Sequence, residues 1–180
     1  RAVAFSPDGK QLAAGGDGEG VKIVKVKGCK TKLTLRTEGA SVKSLAYDPE
    51  GQYVAASFSC GTVQVWDVED GKTAATLKRA FPRVDPKSAV RRAVSWHPDG
   101  SLLAVPSDSH GVAFYERMSW ELVSELDGAH SKPVVLVSLS PNGLYALTSG
   151  EDRKLVLWDV SGKAPLATRV MEAVVVDCSW

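Results

Sequence analysis

Apolar side chains in this chain come in short runs, each cut off within a few residues by a polar or glycine-bearing turn. No segment keeps a 3.6-residue apolar period over the length of a helix, so the pattern predicts strands throughout. The turns are regular. Phe5-Ser6-Pro7-Asp8-Gly9 is followed by Tyr47-Asp48-Pro49-Glu50-Gly51, Trp96-His97-Pro98-Asp99-Gly100 and Leu139-Ser140-Pro141-Asn142-Gly143. In each, Pro presets φ and the closing Gly takes a backbone conformation that other residues avoid. The four glycines lie 42, 49 and 43 residues apart. An apolar run follows each turn, such as Leu12-Ala13-Ala14 or Val54-Ala55-Ala56, and then an alternating, β-branched strand. These strands read Val21-Lys22-Ile23-Val24, Val63-Gln64-Val65-Trp66, Val112-Ala113-Phe114-Tyr115 and Leu155-Val156-Leu157-Trp158. A weaker fourth strand closes each unit, at 31–35, 73–77, 121–126 and 164–169.

Four short antiparallel strands every 40 to 45 residues or so resemble a WD-repeat propeller blade. The dipeptide that names the repeat stands at Trp66-Asp67 and Trp158-Asp159, with Val24-Lys25 and Tyr115-Glu116 in the other two units. The resemblance implies an all-β propeller with blade units at about 1–38, 39–84, 85–128 and 129–172. Residues 173–180 resemble 93–96 and are expected to form the first strand of a further blade, so the four blades and this orphan strand are read as part of a larger ring of about seven blades.

Three stretches narrow the resemblance. Leu102-Leu103-Ala104-Val105-Pro106 leads to Val112-Ala113-Phe114-Tyr115-Glu116-Arg117 with Ser119-Trp120 just after. Ala14-Gly15-Gly16-Asp17 precedes Val21, and Thr148-Ser149-Gly150-Glu151-Asp152-Arg153 precedes Leu157-Trp158-Asp159-Val160. With the long connection at 79–89, this set is similar to the N-terminal propeller of the WD-repeat and HMG-box DNA-binding protein family. That family includes the chromosome transmission fidelity and minichromosome loss factors. Membership implies a nuclear, chromatin-associated replication factor that couples the replicative helicase to the priming polymerase and supports sister-chromatid cohesion. The trimerising second propeller and the HMG box of the family lie further along the chain, so oligomeric state is expected to be set outside this segment. The partners implied are replisome or chromatin proteins, with DNA as a weak, non-specific contact. The other class open to a WD-repeat chain is a scaffold of another complex, such as a ubiquitin ligase adaptor or a histone reader.

Charge changes the picture only locally. Lys plus Arg number 22 and Asp plus Glu 21, a net charge of +1, which excludes a uniformly basic nucleic-acid binder. No apolar run approaches the roughly 18 residues of a membrane span. Cys29, Cys60 and Cys178 are odd in number and far apart, as reduced thiols are, and are read as small buried side chains. With His97 and His110 they show no metal-ligand spacing, and no cofactor is expected.

His130, Ser149 and Asp152 are the residue types of a hydrolase triad, but with Trp158 they also match the structural tetrad of a WD repeat. A catalytic serine needs an exposed oxygen and an oxyanion hole, whereas a buried polar network satisfies its own members and fixes the blade. The structural reading is adopted, and no enzyme is expected. Glu38 and Cys60 fall where a second unit would need His and Asp. The glycines at 15–20 and Gly71-Lys72-Thr73 precede no helix that could receive a phosphate, so they read as hairpin turns. One loop stands out: Lys78, Arg79, Arg83, Lys87, Arg91 and Arg92 lie against a single acid, Asp85. Two readings stand side by side: a solvated connection between blades, or a patch that contacts nucleic-acid phosphates.

Overall fold

The computed structural model describes residues 2–18, 20–37, 40–77, 80, 93–178 and 180. Among the described residues it contains sixteen strands and no helix. The first sheet holds β1 (Ala2–Phe5), β2 (Gln11–Gly15), β3 (Val21–Lys25) and β4 (Lys30–Leu35). The second holds β5 (Val42–Tyr47), β6 (Tyr53–Phe58), β7 (Val63–Asp67) and β8 (Thr73–Leu77). The third holds β9 (Ser95–Trp96), β10 (Leu102–Pro106), β11 (Val112–Glu116) and β12 (Leu122–Leu126). The fourth holds β13 (Val134–Leu139), β14 (Tyr145–Gly150), β15 (Lys154–Asp159) and β16 (Ala164–Val170). Every sheet is an antiparallel meander in chain order, which is a propeller blade.

The turns close as their residues dictate. Gly9, Gly51, Gly100 and Gly143 have φ of 68°, 73°, 76° and 73°. Each donates its N–H to the carbonyl three residues back, at 2.8 to 3.0 Å. A side chain at these positions would strain the turn.

The core lies between blades. Val21, Ile23 and Leu35 of the first sheet pack with Val42, Val54 and Trp66 of the second. Val63 and Val65 meet Leu103 and Val105 across the next junction, and Phe114 and Leu126 meet Val156 and Trp158 across the last. Trp66 and Trp158 are each 1% exposed. At about 25 cal/mol per Å², burying one such ring contributes at most roughly 4–6 kcal/mol. Val3 and Phe5 on β1 are 68% and 63% exposed, and β16 is exposed along its whole length.

Two sequence expectations change here. Residues 173–178 form no strand, because a strand exists only through ladder bonds and their backbone joins no sheet. They are held instead by a bond from the Ser149 hydroxyl to the Val175 carbonyl, and the Trp180 indole donates to the Ser138 carbonyl at 3.3 Å. The cysteines are not buried: Cys29 is exposed in the β3–β4 turn, and Cys60 and Cys178 are half-buried.

Candidate functional site

Two features of the fold bear on function: a buried polar network inside the fourth blade, and the junction where the third blade grips the second.

The network begins with strand alternation. Thr148 on β14 pairs with Val156 on β15, and Ala146 with Trp158, so Thr148 shares a face with the indole. The Trp158 Nε1–H donates to the Thr148 hydroxyl at 2.8 Å. That hydroxyl lies 2.8 Å from His130 Nε2, and His130 Nδ1 lies 3.1 Å from Asp152 Oδ1. The partners assign the imidazole as neutral, with Nδ1–H donating to the carboxylate and Nε2 accepting from threonine. Asp152 also accepts the backbone N–H groups of Ser131 at 2.9 Å and Lys154 at 3.0 Å. Gly150 makes the approach possible, since a Cβ there would stand 2.6 Å from both Asp152 Oδ1 and His130 Nδ1.

Burial pushes the His130 imidazole below its ordinary value, against the pull of Asp152. Burial alone would raise Asp152, but hydrogen bonds from Ser131, Lys154 and His130 outweigh it and hold the carboxyl low. The structure thus brings His130, Asp152 and Trp158 together, but the hydroxyl is Thr148 and not Ser149. Adjacent strand residues face opposite ways, and Ser149 spends its hydroxyl on Val175 across the other face. The hydroxyl that meets the imidazole is fully buried and also accepts the Trp158 N–H, so the group ties the segment before β13 to β14 and β15. At the matching register the other sheets carry Ala14, Ala56 and Val105, which cannot join such a network.

The inter-blade junction was not foreseen from sequence. Arg117, in the β11–β12 turn, places Nη2 3.3 Å from Asp48 and Nη1 2.8 Å from Glu50, both in the β5–β6 turn. It also donates to Gln52 at 2.8 Å and lies 5.0 Å over the Tyr53 ring. Trp120 holds φ at 57° through a bond to the Glu116 carbonyl at 2.8 Å. That places its ring edge-on to Tyr53 at 5.8 Å and to Trp96 at 6.0 Å. In the sequence Arg117 and Trp120 stood out only as part of the stretch that carries the family resemblance.

The basic set Lys78, Arg79, Arg83, Lys87, Arg91 and Arg92, and Glu38, lie outside the described residues. Among the described residues, no three His, Cys, Asp or Glu side chains gather as a metal-binding set.

A family model described as the WDHD1 first WD40 domain matches residues 1–178. The human WD repeat and HMG-box DNA-binding protein 1 is 33% identical over 166 residues, covering 89% of this chain and 14% of its own length. Minichromosome loss protein 1 of Schizosaccharomyces pombe is 26% identical over 181 residues, covering 100% of this chain and 22% of its own. A chain in a crystal structure of the mitotic checkpoint complex superposes over all of this chain and 52% of itself, with a TM-score of 0.81 and 20% identity. At that identity the likeness shows the fold alone. The chain spans less than a quarter of the length of the two relatives.

Proposed function

The chain belongs to the family of the WDHD1 first WD40 domain, and on that premise we propose that it is the interaction platform of a chromatin-associated DNA replication factor. In this reading it is non-enzymatic and nuclear, links replisome components and supports sister-chromatid cohesion. The observation that carries the reading is the family match across 1–178, joined by relatives named for DNA binding and for minichromosome loss. The fold supports it physically. Blades locked by interlocking cores and by Arg117 present their turns on a stiff frame, and loops on stiff frames are where binding residues gather. The Thr148–His130–Asp152 network has the structural part. The loop at 78–92 is the proposed contact to nucleic-acid phosphates, secondary to protein partners.

Chromatin fractionation of synchronised cells tests this. The intact protein should load on chromatin during DNA synthesis, together with helicase components. A protein confined to the cytoplasm throughout, or one that copurifies with a ubiquitin ligase instead, would overturn it.

A further inference from the structure

We propose that the outer end of the first blade docks an acidic linear segment of a protein partner, one that carries an apolar side chain among its carboxylates. The proposal rests on the reading of the chain as an interaction platform and names the chemistry of one occupant. Residues 21–36 contain Lys22, Lys25, Lys27, Lys30, Lys32 and Arg36 and no acid, in a chain whose charges nearly balance. The sheet gathers several of them. Lys25 sits directly opposite Lys30, and Val26 donates its N–H to the Lys10 carbonyl at 2.9 Å, which brings that lysine alongside. Lys10, Lys25, Lys27 and Lys32 border a depression of about 690 Å³ with Val26, 43% exposed, at its side. The Lys10 ammonium also pairs with Asp8 at 3.3 Å and the Lys32 ammonium donates to the Val68 carbonyl at 2.8 Å, so Lys25 and Lys27 beside Val26 are the charges that a ligand would meet first.

Comparison of the blades shows that this cluster is costly. At the end of the third strand the other sheets carry Asp67, Glu116 and Asp159. Each of these carboxylates caps its own turn, accepting the N–H of Glu69 at 2.7 Å, Ser119 at 2.6 Å and Gly162 at 2.9 Å. The first blade has Lys25 at this place, which cannot accept. Its turn is closed by a bond of 3.5 Å from Cys29 to Val26, with Cys29 at a φ of 49°. Like charges directly opposite on a sheet also destabilise it. Local rules broken without local gain gather at functional sites. Lysines that merely guard an open sheet edge account for Lys30 and Lys32 on β4, but Lys10, Lys25 and Lys27 stand off that edge.

The lining chooses between polyanions. It offers one apolar side chain, Val26, with the methylene stems of its lysines, and no aromatic ring. A nucleic-acid backbone would leave Val26 unused and find no surface on which to stack a base. The cations are lysine point charges, not the arginine forks that suit paired phosphate oxygens. A peptide with carboxylates around one leucine meets every feature.

The test is fluorescence anisotropy on the intact protein. The probes are a labelled twelve-residue peptide of Asp and Glu around one leucine, the same peptide with serine in place of the leucine, and a 20-base-pair duplex DNA. Lys25→Asp restores the acid found in the other three turns. It should keep or raise the melting temperature while weakening leucine-peptide binding about tenfold. The serine peptide should bind the unmodified protein about tenfold more weakly than the leucine peptide. DNA affinity should not respond to Lys25→Asp. The double variant Lys10→Gln, Lys27→Gln should repeat the peptide loss if Lys25→Asp folds poorly. Unchanged peptide affinity in a folded variant would overturn the proposal, as would equal binding of the two peptides. A loss confined to DNA would overturn it in favour of a nucleic-acid site. Chromatin loading reports on the platform reading separately, so either can fail alone.

Discussion

Arg117 of the third blade places its guanidinium 3.3 Å from the Asp48 carboxylate of the second, and Asp48 is fully buried. Asp48 Oδ1 accepts the Tyr53 N–H at 2.7 Å, whereas Oδ2 makes no hydrogen bond and faces the guanidinium. Burial raises the Asp48 carboxyl above its ordinary value, and Arg117 pulls it back. Removing one partner of a buried pair leaves an uncompensated charge, at a cost of about 3–5 kcal/mol. Arg117→Ala should therefore lower stability at neutral pH by an amount of that order. The loss should shrink as pH falls and Asp48 takes up a proton. Asp48→Asn should recover part of it in a double-mutant cycle followed by chemical denaturation. A cycle with no coupling would show that the pair contributes nothing across the junction.

Thr148→Val keeps the shape of the side chain but strands the Trp158 indole N–H and His130 Nε2. Each buried unsatisfied group costs about 1–3 kcal/mol. For the two groups together the melting temperature should fall by roughly 4–24 °C in a domain of this size. Ser149→Ala removes one bond, to Val175, and should shift it far less. Calorimetry on both variants decides the assignment, and the reverse ranking would restore Ser149 to the network.

The His130 imidazole, lowered by burial, stays neutral in the folded protein while the unfolded chain takes up a proton near pH 6.5. The unfolded state then binds more protons, so stability falls on acidification from about pH 7.5 to 5.5, by at most about 1.4 kcal/mol per pH unit from this group. Asp152, held low by its hydrogen bonds, adds a loss of the same sign only in the acid range below its unfolded value. His130→Gln should be less stable at pH 7.5 and show a shallower pH dependence. An unchanged slope in urea titrations at the two pH values would mean that His130 is not the sensing group.

The blades were legible in the sequence because their turns are chemically explicit. Pro7, Pro49, Pro98 and Pro141 with their glycines mark the hairpins, and β-branched alternation marks the strands between them. The hydroxyl of the network was misread by one residue, since Thr148 and Ser149 are both hydroxyls and a period of two turns a one-residue slip into the opposite face. Arg117 meets Glu50 across 67 positions, a contact set by how blades stack and not by any local period. The expected strand at 173–180 depended on a ladder partner that local pattern does not supply.

The loop at 78–92 is a separate expectation. Three or four of its six cations reaching phosphate together would give duplex DNA binding a salt slope of about −3 to −4. Arg83, Lys87, Arg91 and Arg92 replaced by Ala should weaken binding by the intact protein and flatten that slope together. Equal affinity and equal slope in a folded variant would leave the loop as a solvated connection.

The most direct test of the interaction-platform reading is capture of newly replicated DNA from cells in S phase, with the intact protein quantified against mature chromatin and against the replicative helicase. The account predicts enrichment on nascent DNA that tracks the helicase and falls when this propeller is deleted. Absence from nascent DNA, or full enrichment without the propeller, would contradict it.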